Sequence, residues 1–299
     1  MTNRERSAEV VKQIVDIFGC PICQESMEVV AEKSIICSRN HTFDFARQGY
    51  INMLKRPSNQ YYDKNLFESR RSIITESNLY ASLHKIISEK ITKYLDGHYK
   101  PAIILDAGSG EGSHLQRILD NYCNENIIGI GLDIAKEGIK MASRSYRNQI
   151  WLVGDLANIP LKDKSTHVIL NILSPANYME FKRILAPKGI IVKIVPQSNY
   201  FIELREAVFE NNNKKDYSND GTISLFKQNF QLVEEFRFNY FKKLRNNEIK
   251  ELVQMSPLSW HVERERIDSF INRVFPGITI DLDILIGINK IDTYLESGE

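Results

Sequence analysis

The sequence predicts an α/β fold, with a mostly parallel sheet covered by helices and a small metal-binding module at the N-terminus. Three observations predict it: apolar β-like runs alternate with helical segments from Pro101 onward, a glycine-rich turn follows the first run, and cysteines cluster near the start. Strands that alternate with helices indicate βαβ units and a parallel sheet.

The composition excludes several other classes of protein. Of the 299 residues, 42% are hydrophobic and 26% are charged, which is typical of a globular protein. No apolar run reaches the roughly 20 residues that a membrane helix needs, and the first ten residues are too polar for a signal peptide. We therefore expect no membrane association and a cytoplasmic location.

The N-terminal part contains short elements. Apolar residues from Val10 to Phe18 have helical spacing and predict an amphipathic helix, and two β-rich runs follow at 27–30 and 34–37. The polar stretch 55–63 contains proline, serine and asparagine, which predict a linker. A helical region then extends to about Gly97. We predict three regions: a metal-binding module (1–57), a helical linker region (58–98) and the α/β domain (99–299).

Three cysteines and one histidine form a metal-binding pattern. Cys20, Cys23, Cys37 and His41 have the spacing C-x2-C-x13-C-x3-H, whereas the fourth cysteine, Cys123, is far away in the sequence and is expected to have no role. Three thiolates and an imidazole fill a tetrahedral zinc site and leave no open position for catalysis. We predict structural zinc; the alternative is a set of buried core cysteines beside an unrelated histidine.

In the α/β domain, the strands are predicted at 102–107, 127–133, 149–155, 167–173 and 189–195, with helices near 113–121 and 136–145 between the first three. Beyond Pro196 the pattern predicts a helix at 198–211, strands at 230–241 and 278–286, and a mixture of helix and turn at 258–275.

The turn after the first of these strands has the form of a nucleotide-binding loop. It carries, within LDAGSGEGSHL, the residues Asp106, Gly108, Ser109, Gly110 and Gly112. Glycines at this position let the backbone approach a ligand closely. Their spacing differs from that of the dinucleotide fingerprint, which makes a nicotinamide-dependent dehydrogenase the least favoured activity. A glycine-rich turn without a ligand is the alternative.

Two further acidic residues lie at the ends of neighbouring strands. Asp133 is placed to accept hydrogen bonds from both ribose hydroxyls, and Asp155, followed by Leu156, is placed to accept one from an adenine amino group. The sequence therefore predicts one crevice that binds a nucleotide-like cofactor.

Four stretches of this domain resemble S-adenosylmethionine-dependent methyltransferases of the Rossmann-like class I: LDAGSGEG, GLDIAKEGIKMA, VGDLANIPLKDKS and RILAPKGIIVKIVP. More narrowly, residues 16 to 265 resemble the bacterial 23S ribosomal RNA guanine-N1 methyltransferases. The stretches that carry this second resemblance are the zinc pattern, HTFDFARQGYINML, FESRRSIITESNLYASL and QMSPLSWHVERE.

The resemblance implies a Rossmann-like class I methyltransferase sheet with a small N-terminal zinc-binding module, which uses S-adenosylmethionine and structural zinc. It implies methyl transfer to N1 of a guanine in a hairpin of 23S ribosomal RNA, and a homodimer. The segment NILSPANYMEF departs from the family pattern, and it offers Asn171, Ser174 and Pro175 as a target-base pocket. Tyr178 and Trp260 are either stacking surfaces for a base or core aromatics.

The net charge of +1 neither demands nor excludes a nucleic-acid partner, but Lys and Arg cluster between residues 39 and 71. The expected phosphate contacts are Arg39, Arg47, Lys55, Arg56, Arg70 and Arg71. Two alternatives stay open from the sequence: a methyltransferase of a small metabolite, and a non-catalytic RNA-binding protein on a methyltransferase scaffold.

Overall fold

The structure, a computed structural model, describes residues 1–56, 63–95, 101–122, 126–209, 217–260, 262–272 and 277–290. Cys123 and residues 57–62 of the predicted linker lie outside these ranges. The helices are α1 (Asn3–Gln13), α2 (Lys64–Thr75), α3 (Ala81–Leu95), α4 (Ser113–Asp120), α5 (Lys136–Ser145), α6 (Tyr178–Ile184), α7 (Ile202–Val208), α8 (Asp220–Asn229), α9 (Asn246–Met255) and α10 (Arg264–Asn272).

The strands belong to two sheets. They are β1 (Met27–Val30), β2 (Ser34–Cys37), β3 (Thr42–Asp44), β4 (Ile51–Asn52), β5 (Ala102–Ala107), β6 (Ile127–Asp133), β7 (Ile150–Val153), β8 (Thr166–Ile172), β9 (Leu185–Pro196), β10 (Phe230–Lys242) and β11 (Ile278–Asn289).

Eight strands form the central sheet in the order β10-β11-β9-β8-β5-β6-β7-β4. The strands from β9 to β4 pair in parallel, and β11 and β10 add an antiparallel pair beyond β9. The carboxyl ends of the parallel strands meet at one edge, where open α/β sheets bind their ligands. The topology confirms the predicted α/β fold.

Both faces of this sheet are covered, so its central strands are apolar on both sides. Every residue of β5 is buried, and β7 is buried throughout. Such strands are found in the sequence as continuous apolar runs, which makes them predictable. Because the strands are otherwise apolar, the polar residues at the carboxyl edge of the sheet are candidate functional residues.

The N-terminal module is a three-stranded antiparallel sheet in the order β1-β2-β3. The chain then leaves this sheet, and β4 joins the edge of the central sheet beside β7. The sequence pattern does not predict β4, since two residues are too few to show a periodicity.

A second contact fixes the module to the α/β domain. The Gly19 amide donates to the Pro160 carbonyl (3.3 Å), the Lys162 amide to the Ile17 carbonyl (2.8 Å), and the Asn158 side-chain amide to the Pro21 carbonyl (2.9 Å). The segment 158–162 therefore holds the first part of the module at the carboxyl edge of β7. None of the helices within the described ranges is long and apolar enough to span a membrane.

Candidate functional site

The four predicted metal ligands come together in the N-terminal module. Their ligand atoms, the Sγ atoms of Cys20, Cys23 and Cys37 and a ring nitrogen of His41, all lie within 4.8 Å of one another. The Cys37 Sγ is 3.4 Å from the His41 Nδ1, and the Cys23 and Cys37 Sγ atoms are 3.6 Å apart. A tetrahedron with Zn–S of about 2.3 Å and Zn–N of about 2.0 Å has edges of roughly 3.5 to 3.8 Å. The cluster therefore fits zinc.

Two tight turns bring these ligands together. The Gln24 amide donates to the Cys20 carbonyl (2.8 Å), and the Asn40 amide donates to the Cys37 carbonyl (2.8 Å). Gln24 and Asn40 both have positive φ, of 63° and 62°. Each turn presents one ligand pair, and the β1–β2 hairpin returns the second pair to the first, as the spacing predicted.

A cavity of about 800 Å³ opens at the carboxyl edge of the central sheet. One end is lined by the glycine loop and by the ends of β6 and β7, through Gly108, Asp133, Asp155 and Leu156. The other end is lined by aromatic side chains and by Arg205. A cavity of this size holds a drug-sized ligand with additional space.

The glycine loop forms part of the cavity wall, and its glycines are required by geometry. Gly112 has φ of 81°, and a Cβ there would lie 2.3 Å from the ring of buried Trp151. Gly108 has φ of 87°, and a Cβ there would lie 2.7 Å from the Ser174 side chain. Both positions combine a left-handed backbone with no space for a side chain.

Asp133 and Asp155 reach this end of the cavity. The Asp133 carboxylate accepts hydrogen bonds from the Gly110 and Ala135 amides, both at 2.7 Å, so the predicted ribose ligand also orders the glycine loop. Asp155 is exposed and accepts from the Ala157 amide (2.8 Å). Ser109 is buried beneath the loop and does not line the cavity.

A charged cluster lies next to the glycine loop. Asp106 and Glu111 are each 1% exposed, and the Asp106 Oδ2 and both carboxylate oxygens of Glu111 have no hydrogen-bond partner among the described residues. The Arg70 Nε is 3.5 Å from the Glu111 Oε2. Burial raises the pKa of the Asp106 carboxyl to about 7, although the positive charge of Arg70 opposes the change. Asp106 does not line the cavity, so its predicted cofactor contact stays a prediction.

The predicted target-base segment forms a hydrogen-bonded corner beside the cavity. The Asn171 amide nitrogen, which has two hydrogens to donate, lies within hydrogen-bond distance of the Ala107 carbonyl (2.9 Å), the Ser174 hydroxyl (2.6 Å) and the Pro175 carbonyl (2.8 Å). Asn171 is fully buried. Ser174 and Pro175 line the cavity, whereas Asn171 does not. Lys193 also lines it and contacts this corner.

The two aromatic residues with alternative roles have different environments. Tyr178 is 9% exposed and packs edge-to-face against Phe181 and Phe230, so it is a core residue. Trp260 is 39% exposed and lines the cavity, where a base can stack on it.

Comparison with known proteins identifies the family. A family model described as "RlmA, N-terminal", a zinc ribbon, matches residues 18–60, and one described as "Methyltransferase domain" matches residues 104–189. Over 282 residues the chain is 39% identical to a Bacillus subtilis protein named "Putative 23S rRNA (guanine-N(1)-)-methyltransferase YxjB". The alignment covers 93% of this chain and all of that protein. The chain belongs to the RlmA-type family of 23S rRNA guanine-N1 methyltransferases.

Other relatives are more distant. The chain is 29% identical to the 23S rRNA (guanine(748)-N(1))-methyltransferase of Streptomyces fradiae over 89% of this chain and 94% of that one. A crystal structure of a SAM-dependent methyltransferase from Aquifex aeolicus matches with a TM-score of 0.44 and 14% identity, covering 76% of this chain and all of that one.

Both cofactors of the family fit the observed geometry. Three separations within the Cys3His cluster, from 3.4 to 3.6 Å, are close to the edges of a zinc tetrahedron. S-adenosylmethionine carries an ammonium group, a ribose and an adenine. The cavity is lined by Asp133 and Asp155, and the orphaned Asp106 carboxylate is buried beside the glycine loop without lining the cavity. The predictions of zinc and S-adenosylmethionine are confirmed by the family match, whereas the individual cofactor contacts stay predictions.

Three residues that line the cavity were not predicted from the sequence as site residues. Arg70 was expected to contact RNA, yet its side chain faces Glu111 and the glycine loop. Lys193 and Arg205 were not singled out at all. A lysine inside an apolar strand, as in GIIVKIV, is the signal that points to such a residue, because lysine is almost never fully buried unless it is paired.

Proposed function

We propose that this protein transfers a methyl group from S-adenosylmethionine to N1 of a guanine in a hairpin of 23S ribosomal RNA. The cofactor supplies an activated methyl group, so the residues of the chain mainly position the acceptor and assist loss of the N1 proton. In this proposal, Asp106, Asp133 and Asp155 bind the cofactor. Ser174 and Pro175 line the target-base pocket beside it, and Asn171 braces this pocket from behind.

The observation that carries the proposal is the position of the zinc module next to the cavity. Asp155 and Leu156 line the cavity, and only two residues later the chain contacts the module through Asn158. RNA that is bound by the module is thereby delivered to the cavity mouth. A small metabolite would need no such docking module.

The aromatic end of the cavity supports a base as the acceptor. Tyr200, Tyr217 and Trp260 line it together with Arg205, whose guanidinium lies 5.6 Å from the centre of the Tyr217 ring. Aromatic side chains and arginine planes are typical stacking surfaces for unpaired bases. A guanine in a duplex hides N1, so the target is unpaired or flipped out of the helix.

The test is incubation with methyl-labelled S-adenosylmethionine and unmodified bacterial 23S RNA, followed by nucleoside digestion and mass spectrometry. We expect labelled 1-methylguanosine from the wild-type protein and from Asp120→Ala, a change on the exposed side of α4. Asp133→Ala is expected to give none. Cofactor binding without label in RNA would favour a small-molecule acceptor or a non-catalytic protein. The homodimer that the resemblance implies and the cytoplasmic location that the composition predicts stay predictions.

A further inference from the structure

A buried ammonium group lies in the wall of the cavity. Lys193, on β9, is 4% exposed, and its Nζ donates to the Asn171 Oδ1 and to the Ser174 carbonyl (2.7 Å). Both acceptors are neutral. They belong to the corner formed by Asn171 and Ser174, and Ser174 lies directly against Gly108 of the glycine loop. Lys193 therefore lines the cavity beside both the predicted cofactor site and the predicted base pocket.

This ammonium has no counter-ion within 4 Å among the described residues. The carboxylates and other charged groups on the elements around β9 are engaged elsewhere. These contacts are Asp283 with Gln197 and Asn219, Asp281 with Arg237, Glu180 with Arg183, Asp220 with Ser218, Lys227 with Glu235, and Asp106 beside Arg70, Asp133 and Glu111. A buried charge without an ion partner costs stability, and such charges occur mainly at functional sites.

The reaction creates a negative charge that this ammonium would stabilise. When guanine loses its N1 proton, the charge is shared between N1 and O6. A fixed hydrogen-bond donor at O6 lowers the free energy of that state, and it does so most strongly in a site that excludes water. The third N–H of Lys193 remains for this role after the bonds to Asn171 and Ser174.

We propose that the Lys193 ammonium donates a hydrogen bond to O6 of the target guanine and stabilises the charge that develops as N1 loses its proton. This inference rests on the proposed function. N1 forms a bond to the methyl carbon while the C–S bond breaks with its electron pair staying on sulfur, and the N1 proton passes to water. Lys193 keeps its proton throughout.

Two features favour the protonated form of Lys193 over a general base. The two oxygens that it contacts both accept hydrogen bonds and stabilise an ammonium group. Burial lowers the pKa of Lys193 to about 8, which still leaves most molecules charged at neutral pH. The lowered pKa also means that the charge is lost within an accessible pH range.

The test compares single-turnover rates of 1-methylguanosine formation between about pH 6 and about pH 9 for the wild type, Lys193→Met, Lys193→Arg and Lys188→Met. Lys188 is an exposed lysine on the same strand and serves as the matched control. Near pH 6.5, Lys193→Met is expected to react about 100-fold more slowly than the wild type, the usual effect of removing one such donor. Lys193→Arg is expected to keep part of the rate, and Lys188→Met all of it.

The pH dependence separates this role from a structural one. The ratio of the wild-type to the Lys193→Met rate is expected to fall as pH rises, because the wild type loses its ammonium charge while more guanine ionises unaided. A ratio independent of pH would mean that Lys193 only shapes the corner. A ratio that grows with pH would identify a general base. An unchanged rate would exclude any role, and each of these results overturns the proposal.

Separate control measurements test whether the variant is folded and whether the proposed function is correct. Thermal unfolding and calorimetric affinity for S-adenosylmethionine report whether Lys193→Met is intact. If it is not, Lys193→Gln keeps a donor for Asn171 and Ser174 without the charge, and its pH profile decides the same question. A wild-type protein that forms no 1-methylguanosine would instead overturn the proposed function.

Discussion

The residues around the glycine loop are arranged for a ligand rather than for stability. Asp106 is buried with one carboxylate oxygen unpaired, and it lies near two further acids, the buried Glu111 and the half-buried Asp133. Burying carboxylates without enough partners opposes folding of the empty protein. The orphaned oxygen is the atom that we propose to bind a cationic group of the cofactor.

Replacing Asp106 by Asn is expected to stabilise the cofactor-free protein at pH 8. The wild-type pKa is raised from 3.8 to about 7, so between these values the folded protein holds a proton that the unfolded chain has lost. Stability contributed by this group therefore falls as pH rises from about 4 to about 7, by up to about 4 kcal/mol. Denaturation of both proteins across this range measures the difference.

This stabilisation should disappear below about pH 4, where Asp106 is protonated in both states. Asp106→Asn should also bind S-adenosylmethionine more weakly by calorimetry, since the carboxylate is removed. Equal stability of the two proteins at every pH would mean that burial does not perturb this carboxyl.

Among the helices, α2 contributes more to the site than its place in the sequence suggested. It begins at Lys64 with Asp63 as its N-cap, and it packs Phe67 and Arg70 against the glycine loop. Arg70 is the cation nearest the buried acids, whereas its neighbour Arg71 points to Ser145 and to the Tyr146 ring. Arg70 and Arg71 are adjacent on α2, yet only Arg70 belongs to the site.

The adjacent arginines provide a matched pair of substitutions. Arg70→Met is expected to weaken S-adenosylmethionine binding by about tenfold or more, because the buried acids lose their cation. Arg71→Met is expected to change the affinity by less than about twofold, since exposed or half-exposed polar contacts contribute little. Calorimetric titration of both variants checks this, and equal losses would contradict the assignment of Arg70.

The zinc ribbon is the second element with a separable role. Cys20→Ser combined with Cys23→Ser is expected to release about one zinc per chain, since structural zinc supplies folding energy for a module this small. RNA affinity should fall more than cofactor affinity. Metal analysis and two titrations measure these quantities, and Cys123→Ser, a cysteine outside the spacing motif, is the control. Wild-type protein without zinc would refute the metal assignment.

At the scale of the whole molecule, the two edges of the central sheet differ in what they contact. The zinc module joins the edge at β4, and β10 forms the opposite edge. The exposed basic residues Arg39, Lys55 and Arg56 lie on or next to the module. Arg39 is paired with Glu25 at 3.2 Å, but both side chains are largely exposed, so this ion pair contributes little.

RNA binding is therefore expected to depend on salt through the module. Substituting Lys55 and Arg56 by Ala should reduce the slope of log K against log salt by about 0.7 to 0.9 for each phosphate that the protein no longer neutralises. Cofactor affinity should not change. Lys93→Ala, an exposed lysine near β10, should leave the slope as it is. Equal slopes for all variants would place the RNA elsewhere.

Local patterns made much of this protein predictable. The metal ligands are close in sequence, so their spacing indicated both turns, and β5 to β9 are long apolar runs. The pairing of Lys193 with Asn171 joins residues from neighbouring strands, and β4 depends on pairing with β7. Such contacts are not encoded in any local pattern, so sequence reasoning could not find them.

The sequence by itself determined the zinc pattern, the glycine loop, the acidic strand ends and the family resemblance, because each depends on residues a few positions apart. Only the tertiary structure decided which polar groups are left without partners in the cavity. It directed Arg70 toward the glycine loop, buried Tyr178 and set the Lys193 ammonium beside the predicted base pocket. Burial and charge compensation depend on every element that packs around a side chain, so they are properties of the folded molecule.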